Sequence, residues 1–203
     1  MLHGNKLVII LPAVLVVFLF AGGSFYIQQA EVVQNDNLDE EIEWETSLEQ
    51  TEKVSRLTAA WNWNATPDDG VQGNDYIGVT FIGENGETLS PDDIDHYQLK
   101  LEGGEDMEGK TVDNGIVFSF PNEVHENQVL GKSGSFTVDI SNTSPTRAVI
   151  SHLHTWESHE GLQSEDARFF EPQFVGKETS DESFYWVSER FVDVNEKGSS
   201  ANK

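Results

Sequence analysis

Apolar residues recur at every second position in seven stretches of the chain. Leu57, Ala59, Trp61 and Trp63 alternate with small or polar neighbours, as do Ile77, Val79 and Phe81, then Tyr97, Leu99 and Leu101. Ile116, Phe118 and Phe120 repeat the pattern, followed by Phe136, Val138 and Ile140, and it returns in the runs RAVISHLH from Arg147 and SFYWVSERF from Ser183. A period of two gives a strand one buried and one wet face. Turn residues punctuate the runs: Pro67-Asp68-Asp69-Gly70, Glu84-Asn85-Gly86, Asp113-Asn114-Gly115 and Ser144-Pro145. The pattern predicts a mainly β domain over residues 54–192, an antiparallel β-sandwich of about seven strands. Ser90-Pro91-Asp92-Asp93 combines a capping serine, a proline at the first helical position and acids in the first turn, so it predicts one or two helical turns. No long amphipathic helix and no glycine-rich phosphate loop interrupts the strands, which argues against dinucleotide and P-loop sites.

The N-terminus has a different texture. Leu7 to Ile27 contains no charged residue, and roughly 20 apolar residues suffice for a helix to cross a bilayer core. Lys6 precedes the segment, and Glu31 is the first charge after it. The positive-inside rule then leaves residues 1–6 in the cytoplasm and puts everything beyond the segment outside the cell. The expectation is a single-pass transmembrane anchor over residues 7–27. Its rival is a cleaved signal peptide, with Leu7 to Phe20 as the apolar region and Ala21-Gly22-Gly23 at the cleavage site. Either reading exports the domain, anchored to the membrane in one case and secreted in the other.

From Glu31 to Glu52 nine acids occur with no base. Such a stretch repels itself, so residues 28–53 read as an extended acidic stalk, with a short amphipathic helix through Leu38 and Ile42 as the alternative. Residues 193–203, polar and holding Gly198-Ser199-Ser200, read as a disordered tail.

Composition narrows the functions. Acids number 36 against 12 bases, a formal charge of −24. Phosphate backbones repel such a chain, so nucleic acid is excluded as a partner. The acids are spread along the domain, the pattern of a surface kept soluble in high salt, where screening relieves self-repulsion. No cysteine is present, which removes disulfides, thiolate nucleophiles, thiolate-bound metals and cysteine-borne lipid. The strand pattern resembles immunoglobulin-like domains of the cell envelope, without the paired cysteines of antibody domains.

Candidate chemistry centres on the histidines. His152 and His154 stand two apart in a predicted strand, so their rings share a face, and His159 follows in the adjoining loop. Three imidazoles suit zinc or copper, with Glu157 or Glu160 in support; the alternative is three histidines on a wet surface. A weaker cation candidate is calcium on the carboxylates of the loop Pro67 to Asp75 or on Asp92, Asp93 and Asp95. Neither a nucleophile elbow nor a zinc-protease helix occurs. Asn64 and Asn142 begin glycosylation sequons at predicted strand ends.

The leading expectation is therefore non-catalytic binding or assembly at the cell envelope through the loops of the sandwich, with an envelope protein as partner. An exported metal-binding accessory protein using His152, His154 and His159 is the second reading, and an envelope hydrolase is the third.

Overall fold

A computed structural model describes residues 14–18, 32–103, 106–126, 128–177 and 184–195. The chain divides into two units, residues 1–32 and 33–203. In the first, residues 14–18 are helical; the remainder of the expected membrane segment lies outside the described residues. Among the described residues no helix is long and apolar enough to cross a membrane.

The second unit is built from antiparallel strands. In chain order these are β1 (Ile42–Gln50), β2 (Val54–Trp63), β3 (Asn74–Ile82), β4 (Ile94–Leu101), β5 (Asp106–Met107), β6 (Gly109–Val112), β7 (Gly115–Pro121), β8 (Val124–His125), β9 (Gln128–Val129), β10 (Ser133–Ser141), β11 (Arg147–Thr155) and β12 (Tyr185–Asp193). One sheet has the order β1-β2-β10-β4-β5, the other β12-β11-β3-β7-β6, and β8-β9 is a separate ribbon. Each of the seven alternating runs coincides with a strand. Their apolar positions form one core between the two sheets: Leu57, Trp61 and Trp63 from β2, Ile77, Val79 and Phe81 from β3, and Phe118, Phe120, Phe136 and Val138 from β7 and β10. The single turn at Pro91–Asp93 forms as expected, with the Ser90 hydroxyl accepting from the Asp92 amide.

Two boundaries and the strand count differ from the sequence expectation. Most of the acidic stalk is part of the sandwich: Asn35–Glu41 forms a 3₁₀ helix, and β1 pairs along its whole length with β2, Leu48 facing Leu57 and Trp44 facing Trp61. Leu38, Ile42 and Leu48 are buried in the core, while Glu43, Glu45 and Glu49 point to solvent. The acids repel one another from the wet side of a strand whose dry side is apolar. Asp193, expected in the tail, closes β12 and pairs with Arg147 at 2.6 Å. Asn195 donates its backbone N–H to the Leu48 carbonyl at 2.9 Å and its side chain to Ser47 at 2.8 Å. Residues 196–203 lie outside the described residues. The strand count also rises above seven, through β1 and the short strands β5, β6, β8 and β9.

Both open sides of the sandwich are laced. On one side the chain passes from β5, paired with β4, directly into β6, paired with β7, and so crosses between sheets within a few residues. On the other, Leu48 of β1 bridges Val194 just beyond β12. Unpaired sheet edges invite aggregation, and these links shorten both.

The segment between β11 and β12 covers the outer face of the second sheet. Leu162 bridges Phe174, and Gln163 and Gln173 are joined by a backbone bond of 2.7 Å, which pinches this loop into a narrow hairpin. Ala167, Phe169, Phe174 and Phe184 then pack on Tyr76, Val117 and Leu153 as a second apolar cluster. The consequence is that β3 and β11 are buried on both faces. Gly78 permits this close approach: a Cβ there would stand 1.8 Å from the Ala167 carbonyl oxygen.

Candidate functional site

Asp75 is the first inward-facing residue of β3, in step with Ile77, Val79 and Phe81, and it is fully buried. An ionised carboxylate there requires partners. The backbone N–H of Thr155 and the side-chain amide of Asn122 each donate to its Oδ1 at 3.0 Å. His154 Nδ1 lies 2.9 Å from Oδ2, and His152 Nε2 lies 3.4 Å from the same oxygen. Both histidines are buried, at 1% and 0% exposure, so neither occupies a wet face.

His154 Nε2 lies 3.0 Å from Oδ1 of Asn35, whose Nδ2 is committed to the Gly70 carbonyl at 2.6 Å, so the amide orientation is fixed. Both ring nitrogens of His154 therefore lie within hydrogen-bond distance of an acceptor oxygen. The ring is held between the Asp75 carboxylate and the Asn35 side chain. Burial alone would raise the Asp75 pKa, but the charge of His154 and the hydrogen bonds from both histidines hold it far below the usual carboxylate range. His152 behaves differently. Its burial outweighs the pull of Asp75, so its pKa is lowered and the ring is neutral. Among the described residues its Nδ1 has no hydrogen-bond partner, and neither do Nε1 of Trp44 and Trp63 or Oδ1 of Asn122.

Aromatic rings close the network in. Trp186 sits 5.1 Å from His152 and 5.0 Å from His154, centroid to centroid; Trp44 lies against His152, and Trp63 and Trp156 against His154. Trp156 is thus a half-buried wall of the network. Asn35 ties the N-terminal 3₁₀ helix to this centre with four groups: its amide N–H donates to Asp69, its carbonyl accepts from Trp186 Nε1 at 2.7 Å, and its side chain bridges Gly70 and His154.

The expected three-histidine site does not assemble. Tyr76 follows Asp75 in β3 and so points to the opposite face of the sheet, and His159 lies there with it. The Tyr76 hydroxyl is hydrogen-bonded to His159 Nε2 at 2.9 Å, while His159 Nδ1 lies 3.0 Å from the Glu157 carbonyl. Burial pushes the Tyr76 pKa up to about 12. The carboxylates of the loop from Pro67 to Asp75 are divided as well: Asp69 receives the Asn35 amide, Asp68 points to solvent and Asp75 is sealed in the core. Among the described residues no group of three or more histidines and carboxylates is disposed to hold a metal ion.

The outward-facing counterpart is the tip of the β11–β12 loop. The Asp166 carboxylate accepts from the Asn114 side chain at 2.7 Å, the Arg168 amide at 2.8 Å and the Phe170 amide at 3.1 Å. Burial works against ionisation there, yet these bonds hold the Asp166 pKa below its ordinary value. This brace fixes Phe169 at a φ of +55°, in the left-handed region that a bulky residue avoids, with its ring buried. The next residue, Phe170, is turned out to 67% exposure. Beside it lies a groove of about 760 Å³, lined by Phe170, Phe174, Phe184, Tyr185, Gln163 and Glu171 among others. Its size falls within the range typical of ligand clefts, about 300–1,000 Å³.

No protein-family model matches the chain. No curated protein matches it either. Among solved structures it is similar to one described as "AvmM Catalyzes Macrocyclization in Alchivemycin A Biosynthesis". The TM-score is 0.38 and the identity 10%, over 80% of this chain and 93% of that one. So distant a likeness bears on the chemistry of neither protein.

Sequence reasoning missed Asp75 as the centre of the network, together with Asn35, Asn122, Asp166 and Phe170. Asp75 had a readable signal, because an acid in phase with three inward apolar residues of a strand must find a buried partner.

Proposed function

We propose that this chain is a membrane-anchored, exported, acidic binding module of the cell envelope, without catalytic activity. One contrast carries the reading. The Asp75–His152–His154 cluster is sealed in the core, whereas an aromatic residue on a braced, strained loop is held out to solvent beside a groove. Strain maintained by three hydrogen bonds to one carboxylate is a feature of sites that present a residue, and binding surfaces of this kind are carried on loops over a rigid scaffold.

The strand order supports an immunoglobulin-like reading of the sandwich. In constant-type domains strands A-B-E-D face G-F-C. Here β1-β2-β10-β4 face β12-β11-β3, and the chain visits them in the order A to G. The strands β5 to β9 form an insertion between D and E that adds β7 and β6 beside β3. Antibody domains staple strands B and F with a disulfide; here their equivalents, β2 and β11, meet through Trp63 and His154, whose rings lie edge to face at 5.6 Å.

The absence of cysteine makes the test clean, since an introduced thiol is the sole one. Glu84→Cys, in the exposed turn after β3, should be labelled on intact cells by a membrane-impermeant maleimide; labelling only after lysis would refute export. With Gln173→Cys at the groove, a thiol-tethered photo-cross-linker should give an envelope adduct of defined mass that Glu84→Cys does not. Identical adducts from both positions would remove the groove as the binding site.

A further inference from the structure

The groove has an electrostatic character that selects a class of partner, an inference that rests on the binding role proposed above. Lys177 lines the groove and Arg168 lies against the Phe170 ring, and both are paired with acids of the domain. Arg168 makes two bonds of 2.7 Å to Glu189, and Lys177 bonds Glu157. Glu171, by contrast, is exposed and forms no ion pair among the described residues. The rings of the groove already receive cations: the Arg168 guanidinium lies 4.7 Å from the Phe170 centroid, and the Lys177 ammonium 4.7 Å from that of Phe184. Such contacts arise because the ring face carries the negative part of the aromatic quadrupole. At 67% exposure, Phe170 retains ring surface that Arg168 does not cover. Anionic ligands meet an uncompensated carboxylate on a chain of formal charge −24, while a neutral sugar gains nothing from that field.

We propose that this groove docks an extended, basic peptide segment of an exported partner. An arginine or lysine side chain lies on the open face of Phe170 and pairs with Glu171, with the amide side chain of Gln163 available to the peptide backbone.

Diffuse attraction of any cation to an acidic surface is the competing explanation, so the test separates the two. The full-length chain in non-ionic detergent is titrated calorimetrically with a peptide of about ten alternating glycine and arginine residues, with its glycine–glutamate counterpart and with a neutral oligosaccharide. The expected result is binding of the arginine peptide alone. Phe170→Ala should weaken it about tenfold, as for a central aromatic contact. Glu171→Lys should weaken it at least as much, and the double variant Glu43→Gln/Glu45→Gln on the opposite sheet less than about twofold. Near-ultraviolet dichroism verifies that each variant is folded. Equal affinity in the wild type and Phe170→Ala would overturn the proposal and leave diffuse attraction. Oligosaccharide binding that Phe170→Ala abolishes, with no peptide binding, would also overturn it while leaving the groove a binding site. If Phe170→Ala altered the binding of no probe and no cross-linked adduct, both this proposal and the binding role at the groove would fall.

Discussion

Asp75→Asn tests the buried network most directly. The substitution preserves shape and removes one negative charge. Four donors converge on the carboxylate: the Thr155 amide, the Asn122 side chain and both histidines. An asparagine offers one acceptor oxygen and turns an NH₂ toward some of those donors. It also takes the carboxylate partner away from His154, which is fully buried. Removing one member of a buried ion pair typically costs about 3–5 kcal/mol. For a domain of this size each kcal/mol lowers Tm by about 2–4 °C, so the expected fall is about 6–20 °C. Urea unfolding at fixed ionic strength measures the energy. A double-mutant cycle with His154→Gln should return a coupling above about 1 kcal/mol, because the two residues share a bond and a charge. The pH profile gives an independent sign. The folded pKa of Asp75 is depressed, so its contribution is complete above the unfolded value of about 3.9 and is lost as pH falls. In Asp75→Asn that acid-side loss should shrink. A cost below about 1 kcal/mol at neutral pH, or full additivity with His154→Gln, would refute the pairing of Asp75 with His154.

His152 titrates in a different window. Its folded pKa is lowered by burial, so stability is complete above the unfolded value of about 6.5 and declines below it by up to about 1.4 kcal/mol per pH unit; His152→Phe should flatten this decline in thermal melts. A chain truncated to begin at Val33 should fold, whereas one beginning at Lys53 should be insoluble or unfolded by circular dichroism, because it lacks Leu38, Ile42 and Leu48 of the core; a folded chain from Lys53 would refute the placement of β1. Gly78→Ala drives a methyl group into the Ala167 backbone, so it should cost about 1–3 kcal/mol and expose the β11–β12 loop to protease. Zinc, copper(II) or calcium added to chelator-treated protein should leave Tm unchanged, because His152 and His154 are buried and His159 lies on the other face of the sheet; a rise of more than about 5 °C with zinc would show that the network opens to bind metal.

How far the sequence was legible follows from which positions had one physical reading. The seven alternating runs each became a strand, because apolar residues at period two have no other stable arrangement beside turn signals. β1 was hidden by its own wet face. Ile42, Trp44 and Leu48 alternate correctly, but Glu43, Glu45 and Glu49 between them, with more acids on either side, carry the signature of a spacer. The histidines were placed on one face of one strand, and that was right. Which face, and that both faces of β11 are covered, depended on the β11–β12 loop folding back, a contact over long sequence separation that no local pattern encodes. His159 was grouped with them by proximity in sequence, whereas the turn after Thr155 carries it to the far side of the sheet.

The same double burial explains what the polar network does for the fold. A strand with one wet face has its register fixed by alternation, since a one-residue slip puts every apolar side chain in water. β3 and β11 lack that safeguard, being buried on both faces along nearly their whole length. A slip between them exchanges one buried apolar residue for another at most positions. At Asp75 it does not. Only in the observed register, with His152 opposite Ile77 and Leu153 opposite Tyr76, do the Thr155 amide and both imidazoles meet the carboxylate. Asn35 and Asn122 extend the condition to the N-terminal helix and to the end of β7. Any other pairing leaves a buried carboxylate without its donors, at a cost comparable to that expected for Asp75→Asn. The Asp75–His154 pair at the core is thus a register lock for two adjacent interior strands of its sheet, and those strands carry Tyr76, Gly78 and Leu153, against which the outward-facing loop packs.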